Sequence, residues 1–511
     1  MNAAIKTTTS NSQSSSQQRS VQMVIIGAGF GGLAMAIRML QEGRKDFILL
    51  EKAGDVGGTW RENSYPGAAC DVQSHMYSYS FAPKSDWSKR YAEGPEIFQY
   101  IQDTTEKFGV RPYIRFNTSV HGAHFDDNTG RWNLTLNDGS ILNTKYVVLA
   151  SGPLHVPQIP SYKGMDKFKG RIFHSAQWDH SYDLTGKKVA SIGTGGSAIQ
   201  YIPEIAPQVA QLDVYQRTPA WVIPRDERKY SSLDKKLFAE IPVLRKLHRA
   251  RLYWSNESRV MPIFHPKIMQ TAQKAIELFI RYQVKGDKTL AKKLTPNYVM
   301  GCKRILISNK YYPTFTRPNV DLILDSIQEF TENGIITKDG KFREADCVIL
   351  GTGFIVDPRI YMKDFPCTGL HGRNLMDDWK NGSEAYYGMN VSGYPNMFQL
   401  VGPNTALGHN SIIFMIEAQV HYILDALKQM EKQKADYLDV KADVQASFNA
   451  EIQQKLVGTV WQNGGCVSWY QSEEGKNFTI WPGYTWRYWL ETRKLKPQAY
   501  NFVTLKVNQP A

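Results

Sequence analysis

No other part of the chain restricts the fold as much as residues 21–51. Val21-Gln22-Met23-Val24-Ile25-Ile26 is a short apolar run of the kind that fills a strand buried on both faces. It leads into Gly27-Ala28-Gly29-Phe30-Gly31-Gly32, then a helical pattern from Leu33 to Glu42 and a second apolar strand, Phe47 to Leu50, that ends in Glu51. GxGxxG in this strand–turn–helix–strand–acid setting predicts a dinucleotide-binding unit. Gly27 permits the tight turn, Gly29 lets the backbone approach a pyrophosphate, and Gly32 lets the helix pack closely on the strand. The start of the helix offers unpaired N–H groups and a positive dipole end to phosphates. Glu51 is placed to accept hydrogen bonds from a ribose diol.

A second copy follows. Val189-Ala190-Ser191-Ile192 is the strand, and Gly193-Thr194-Gly195-Gly196-Ser197-Ala198 is GxGxxA. The next strand, Gln211 to Tyr215, ends in Gln216-Arg217-Thr218 and not in an acid. Arg217 suits a 2′-phosphate, which a carboxylate would repel, so NADP(H) and not NAD(H) is expected here. An exposed arginine without a ligand is the alternative. Two further apolar runs end in glycine, Tyr146 to Gly152 and Asp346 to Gly353. They mark where the chain crosses between the two units.

The fold expected is therefore α/β, with two Rossmann-like dinucleotide-binding domains and the second inserted into the first. The first domain is expected over 21–155 and 354–511, the second over 156–224 and 301–353. Between them, 225–300 loses the glycine-rich α/β pattern. Leu233, Leu237, Ile241, Leu244 and Leu247 fall near helical spacing, as do Ile268, Ala272, Ala275, Ile276 and Phe279. A helical insertion with a basic outer face is expected there. The Ser/Thr/Gln-rich residues 1–20 lack an apolar core and read as a disordered tail, not a signal peptide.

Charge sharpens the choice of partners. The whole chain of 511 residues carries a net charge of +13, and Arg225 to Lys310 alone has 20 Lys and Arg against 7 Asp and Glu. An anionic partner is implied: nucleic acid, a membrane surface or phosphate-bearing small molecules. The basic stretch has no zinc, RRM or helix-turn-helix signature, which argues against nucleic acid. With 21% charged and 12% aromatic residues, wholesale disorder is excluded, and no 18-residue apolar run predicts a membrane span. Cys70, Cys302, Cys347, Cys367 and Cys466 form no CxxC pair and no metal-ligand spacing. They read as structural thiols of a cytoplasmic protein without a metal.

Two longer motifs carry a resemblance. Phe168 to Asp179 reads FxGxxxHxxxWD, with His174 and Trp178-Asp179 at its fixed positions. Gly57 to Asp71 reads GGxWxxxxYPGxxxD. Together with both glycine-rich turns, they resemble the fingerprints of type I (class B) flavin-dependent Baeyer–Villiger monooxygenases over nearly the whole chain after residue 20.

The resemblance implies FAD in the first domain and NADPH in the second. It implies O2-dependent conversion of ketones to esters or lactones through a flavin peroxide, with sulfoxidation as a side activity. It places Thr59, Trp60, Asp71, Tyr77, Val120 and Asn404 on the FAD side with the first glycine turn. Lys303, Arg304 and Trp469 join Gly193 to Ala198, Arg217 and Thr218 on the NADP side. Arg304 is implied as the catalytic arginine and Asp71 as its partner, with a purely structural ion pair as the alternative. Trp469 lies in Ser468-Trp469-Tyr470, which resembles a loop closing over the nicotinamide nucleotide; an aromatic core cluster is the alternative. His174 receives no catalytic role. Thr352 is preceded by Gly351, where many members carry alanine.

Two other readings remain beside it. A heteroatom oxygenase acting on S or N would share the cofactors, and Arg304 with Trp178-Asp179 disfavours it. A basic helix with Leu and Phe on one face could lie on an anionic bilayer as an addition to the enzyme. Substrate identity and oligomeric state are not readable from spacing.

Overall fold

The computed structural model describes residues 19–472 and 474–506. Residues 1–18 of the expected tail lie outside the described residues, whereas Arg19 and Ser20 already belong to the first strand, Arg19–Ile26. That strand lies between Phe47–Leu50 and Ile141–Leu149, parallel to both. Val24 and Ile25 are fully buried there, which is why this run has no polar alternation. The sheet continues outward from Ile141–Leu149 through two antiparallel strands, Arg131–Leu136 and Val120–Asp126. Cys367–Thr368 closes that edge and Ile114–Arg115 the other.

A second, wholly parallel sheet has the order Val320–Ile323, Gln211–Tyr215, Lys188–Ile192, Cys347–Leu350, Arg171–His174. The chain thus leaves the first sheet at Leu149, builds the second between Arg171 and Leu350, and returns at Cys367. Both sheets are Rossmann-like, and each turns into a helix at the carboxyl end of its central strand. The helix Phe30–Gln41 is apolar nearly all round, with Leu33, Ala34, Met35, Ala36 and Ile37 fully buried. It is covered on its far side by the long helix Ile412–Gln433.

Gly351 has a local reason. A Cβ there would stand 2.6 Å from the Tyr201 hydroxyl, which is hydrogen-bonded to Ser191 Oγ at 2.8 Å. Alanine would push this buried tyrosine off the strand.

Residues 232–294 form five helices, Ser232–Glu240, Pro242–Ser258, Val260–Phe264, Pro266–Gln283 and Lys288–Leu294. The periodic leucines behave differently from the expectation. Pro242 excludes α-helical backbone at Ile241, which sits at φ −120°, and splits the run into two helices. Leu233, Ile241, Leu244 and Leu247 are exposed. The outer face is therefore apolar as well as basic.

The thiol expectation is also corrected: Cys302 and Cys466, 164 residues apart, form a disulfide. Cys70, Cys347 and Cys367 are free and buried. Among the described residues no helix is long and apolar enough to cross a membrane, and no His/Cys/Asp/Glu group could hold a metal.

Candidate active site

Both glycine turns open onto one cavity of about 1110 Å3. At the first, Gly27 has φ +106°, and a Cβ on Gly32 would fall 1.9 Å from the Gly27 carbonyl oxygen. Gly32 therefore sets the contact between helix and turn from beneath, while Gly27 and Gly29 line the cavity. Glu51 is buried and already oriented: Oε2 accepts from the Ala28 N–H at 2.8 Å and Oε1 from the Ala53 N–H at 3.0 Å. Arg61 Nη2 donates to Oε1 at 3.2 Å. Thr59 and Val120 stand at the same end of the cavity. Trp60 Nε1 donates to the Tyr77 hydroxyl at 3.1 Å, and both rings face the cavity.

At the second turn Gly193 has φ +112°, and a Cβ there would meet the Gly351 carbonyl oxygen at 2.3 Å. Thr194, Gly195, Gly196 and Ser197 line the cavity. Ala198 instead begins the helix Ala198–Ile205 and is fully buried. The Thr194 hydroxyl donates to the Thr218 carbonyl at 3.0 Å, tying the turn to the next strand's end. Arg217 is exposed and lines the cavity. Lys303 lies over the Tyr298 ring at 5.2 Å, and burial with the nearby charge of Arg217 pushes its ammonium below the usual range.

These residues fit two dinucleotides. Neither helix start is closed by a side chain, since Gly29 and Ser197 make no capping hydrogen bond. The first-turn N–H groups are thus free to bind an anion.

A two-pronged ion pair lines the same cavity. Arg304 Nε donates to Asp71 Oδ2 at 2.8 Å and Nη2 to Oδ1 at 2.8 Å. Both side chains line the cavity, and Asp71 holds the guanidinium well above its ordinary range against the opposing effect of burial. The Tyr470 hydroxyl, buried and close to this pair, is pushed up to about 12, mainly by desolvation. Trp469, its neighbour in sequence, faces the cavity and remains partly exposed. Cys302–Cys466 joins the chain just before Lys303-Arg304 to the chain just before Trp469.

The Asn404 side chain does not line the cavity. The residue sits at φ +55°, and its Nδ2 donates to the carbonyls of Asn477 (2.9 Å) and Ile480 (3.1 Å), away from the cavity. Ala406, Leu407 and Asn410 of the same loop form that wall. His174 is buried, with Nδ1 accepting from the Ala176 N–H at 3.1 Å, and burial lowers its pKa. Trp178 packs on Phe173 and Tyr201, and Asp179 pairs with Arg171 at 2.7 Å. None of the three lines the cavity.

Two contributors escaped the sequence reading. Gln200 accepts from the Tyr65 hydroxyl at 2.9 Å and donates to the Ala69 carbonyl at 2.9 Å, bolting the second helix to the Asp71 segment. Glu257, buried in the insertion, accepts from Asn410 Nδ2 at 2.6 Å and Thr485 Oγ1 at 2.5 Å. Neither contact leaves a signal in local spacing.

The family model described as flavin-binding monooxygenase-like matches residues 20–259. A Baeyer–Villiger monooxygenase of Pseudomonas aeruginosa is 45% identical over 488 residues, 95% of this chain and 92% of that protein. One of Streptomyces coelicolor is 42% identical over 94% of this chain and 92% of its own. An oxidized steroid monooxygenase bound to NADP superposes with a TM-score of 0.84 at 30% identity, over 95% of this chain and 99% of that one. The chain belongs to the flavin-dependent Baeyer–Villiger monooxygenases.

Proposed function

We propose that this protein holds FAD at the first glycine turn and takes NADPH at the second, converting ketones to esters or lactones with O2. Sulfide oxidation is the expected side activity. The observation that carries this reading is the Arg304–Asp71 pair in the wall of the cavity onto which both turns open. Gly27, Gly29 and the open helix start would hold the FAD pyrophosphate, with Glu51 on its ribose. Gly193 to Ser197 would hold the NADPH pyrophosphate, with Arg217 and Lys303 on its phosphate.

Bound FAD supplies the redox chemistry, accepting electrons from NADPH and passing one oxygen atom of O2 to the substrate. The chain supplies charge, pose and dryness. Arginine stays protonated at any working pH, and Asp71 takes two of its donors, leaving Nη1 for the negative charge that develops on a substrate carbonyl oxygen. Trp469 and Tyr470 would limit water at that point.

The test is product identification by mass spectrometry when the FAD-loaded protein meets NADPH, O2 and a panel of ketones and sulfides. Arg304→Ala should cut ester formation about a hundredfold or more while flavin content is retained. Arg304→Lys should not restore it, because a point charge cannot make the two-pronged pair. Esters formed at the wild-type rate by Arg304→Ala would sink the assignment.

A further inference from the structure

Helix Pro242–Ser258 shows two different long faces. Inward, Leu252 is buried and Asn256 Nδ2 donates to Gln73 at 2.9 Å; in the last turn the stripe's own side is buried too, where Glu257 holds Asn410 of the cavity wall. Outward, Val243, Leu247 and Trp254 are 62%, 61% and 59% exposed. At about 100° per residue these three fall within one narrow stripe, with Ala250 in line. Leu233 on the preceding helix and Ile241 at the joint are exposed too.

A neighbouring helix also exposes apolar side chains. The Tyr253 hydroxyl is hydrogen-bonded to Thr485 Oγ1 at 2.9 Å, which joins Pro242–Ser258 to Thr485–Glu491. There Trp486, Trp489 and Leu490 are exposed. Exposed valine, leucine and tryptophan side chains grouped on one helix stripe mark a contact surface more often than isolated ones do.

Its rim is basic. Lys246 and Arg251 are exposed along the two sides of the stripe, and Arg259 lies beyond its end. Arg493 lies over the Trp489 ring at 5.1 Å. Apolar side chains framed by cations, with tryptophans among them, match the headgroup zone of an anionic bilayer. A second copy of the chain on this face would bring the same basic rim, like charge meeting like around the apolar side chains. Nucleic acid offers no use for a leucine–valine stripe between the cations.

We infer that the exposed apolar side chains of the neighbouring helices Pro242–Ser258 and Thr485–Glu491, with the cations around them, dock the protein peripherally on anionic lipid. The contact is independent of which substrate is oxidised.

The full-length, FAD-loaded protein is spun down with vesicles of phosphatidylglycerol and phosphatidylcholine in equal parts, and with pure phosphatidylcholine vesicles. Binding to the anionic vesicles at low salt should be at least about tenfold tighter than to the neutral ones, and weaker in high salt. Leu247→Ser with Trp254→Ser should lower it by about tenfold or more with NADPH consumption unchanged. Val457→Ser, which removes an exposed apolar side chain outside the two docking helices, should leave it unchanged. No binding to anionic vesicles at low salt would overturn the inference, as would full binding by the double variant. A concentration-dependent dimer abolished by the double variant would overturn it in favour of self-association. Displacement from vesicles by a DNA duplex that the double variant no longer binds would overturn it in favour of nucleic acid.

Discussion

The two glycine turns share a sequence pattern but differ in how far the protein has finished them. At the first, the acid is buried and held by two backbone N–H groups and Arg61 before any ligand arrives. At the second, the corresponding side chain is an exposed arginine, and its neighbour Lys303 is held below its ordinary range by burial and, secondarily, by that arginine's charge. The first is a fixed template; the second is a pair of like charges that an incoming phosphate would relieve. Preorganisation of this kind favours retention of one nucleotide and exchange of the other.

Gly32→Ala is the harshest test of that contrast. Its Cβ would fall 1.9 Å from a backbone oxygen, and the second turn already carries Ala198 at this position. Overpacking of about 1–3 kcal/mol should weaken FAD retention by about 10- to 100-fold, read as flavin per protein after gel filtration. A fully loaded Gly32→Ala protein would mean the two turns are equivalent.

Arg217→Ala should come next. Losing charge-assisted hydrogen bonds worth about 1.5–3 kcal/mol should lower kcat/KM for NADPH by about 10- to 100-fold and leave NADH nearly unaffected. Equal losses for both nucleotides would remove the 2′-phosphate from the account. Salt should give the smallest effect. Raising ionic strength from about 0.05 to about 0.5 M should raise the KM for NADPH a few-fold, since Arg217 is exposed, without releasing FAD.

How much of this could be read from the chain depends on whether the cause is local. The glycine turns, the acid at Glu51 and the arginine at Arg217 are set by backbone geometry within one strand–turn–helix unit, so their spacing is enough. Arg304 and Asp71 were reachable only through motif resemblance, because 233 residues separate them. The place of the Asn404 side chain was hidden for a related reason. Its loop does reach the cavity, but a left-handed backbone turns that one side chain onto Asn477 and Ile480, which no period encodes. The leucines at 233–247 announce helices correctly yet cannot say which face meets solvent, and Pro242 divides them. Gln200, Glu257 and the Cys302–Cys466 pair all join distant segments, and only the packed chain brings them together.

The disulfide has a practical consequence for anyone handling this protein. It makes the arginine-bearing wall and the Trp469 loop a single covalent piece, so cutting it would free one from the other without touching a cofactor. Samples with the bond intact and samples with it cut are different molecules under one label. A thiol titration of the denatured chain distinguishes them, giving three free groups when the bond is intact and all five once it is reduced.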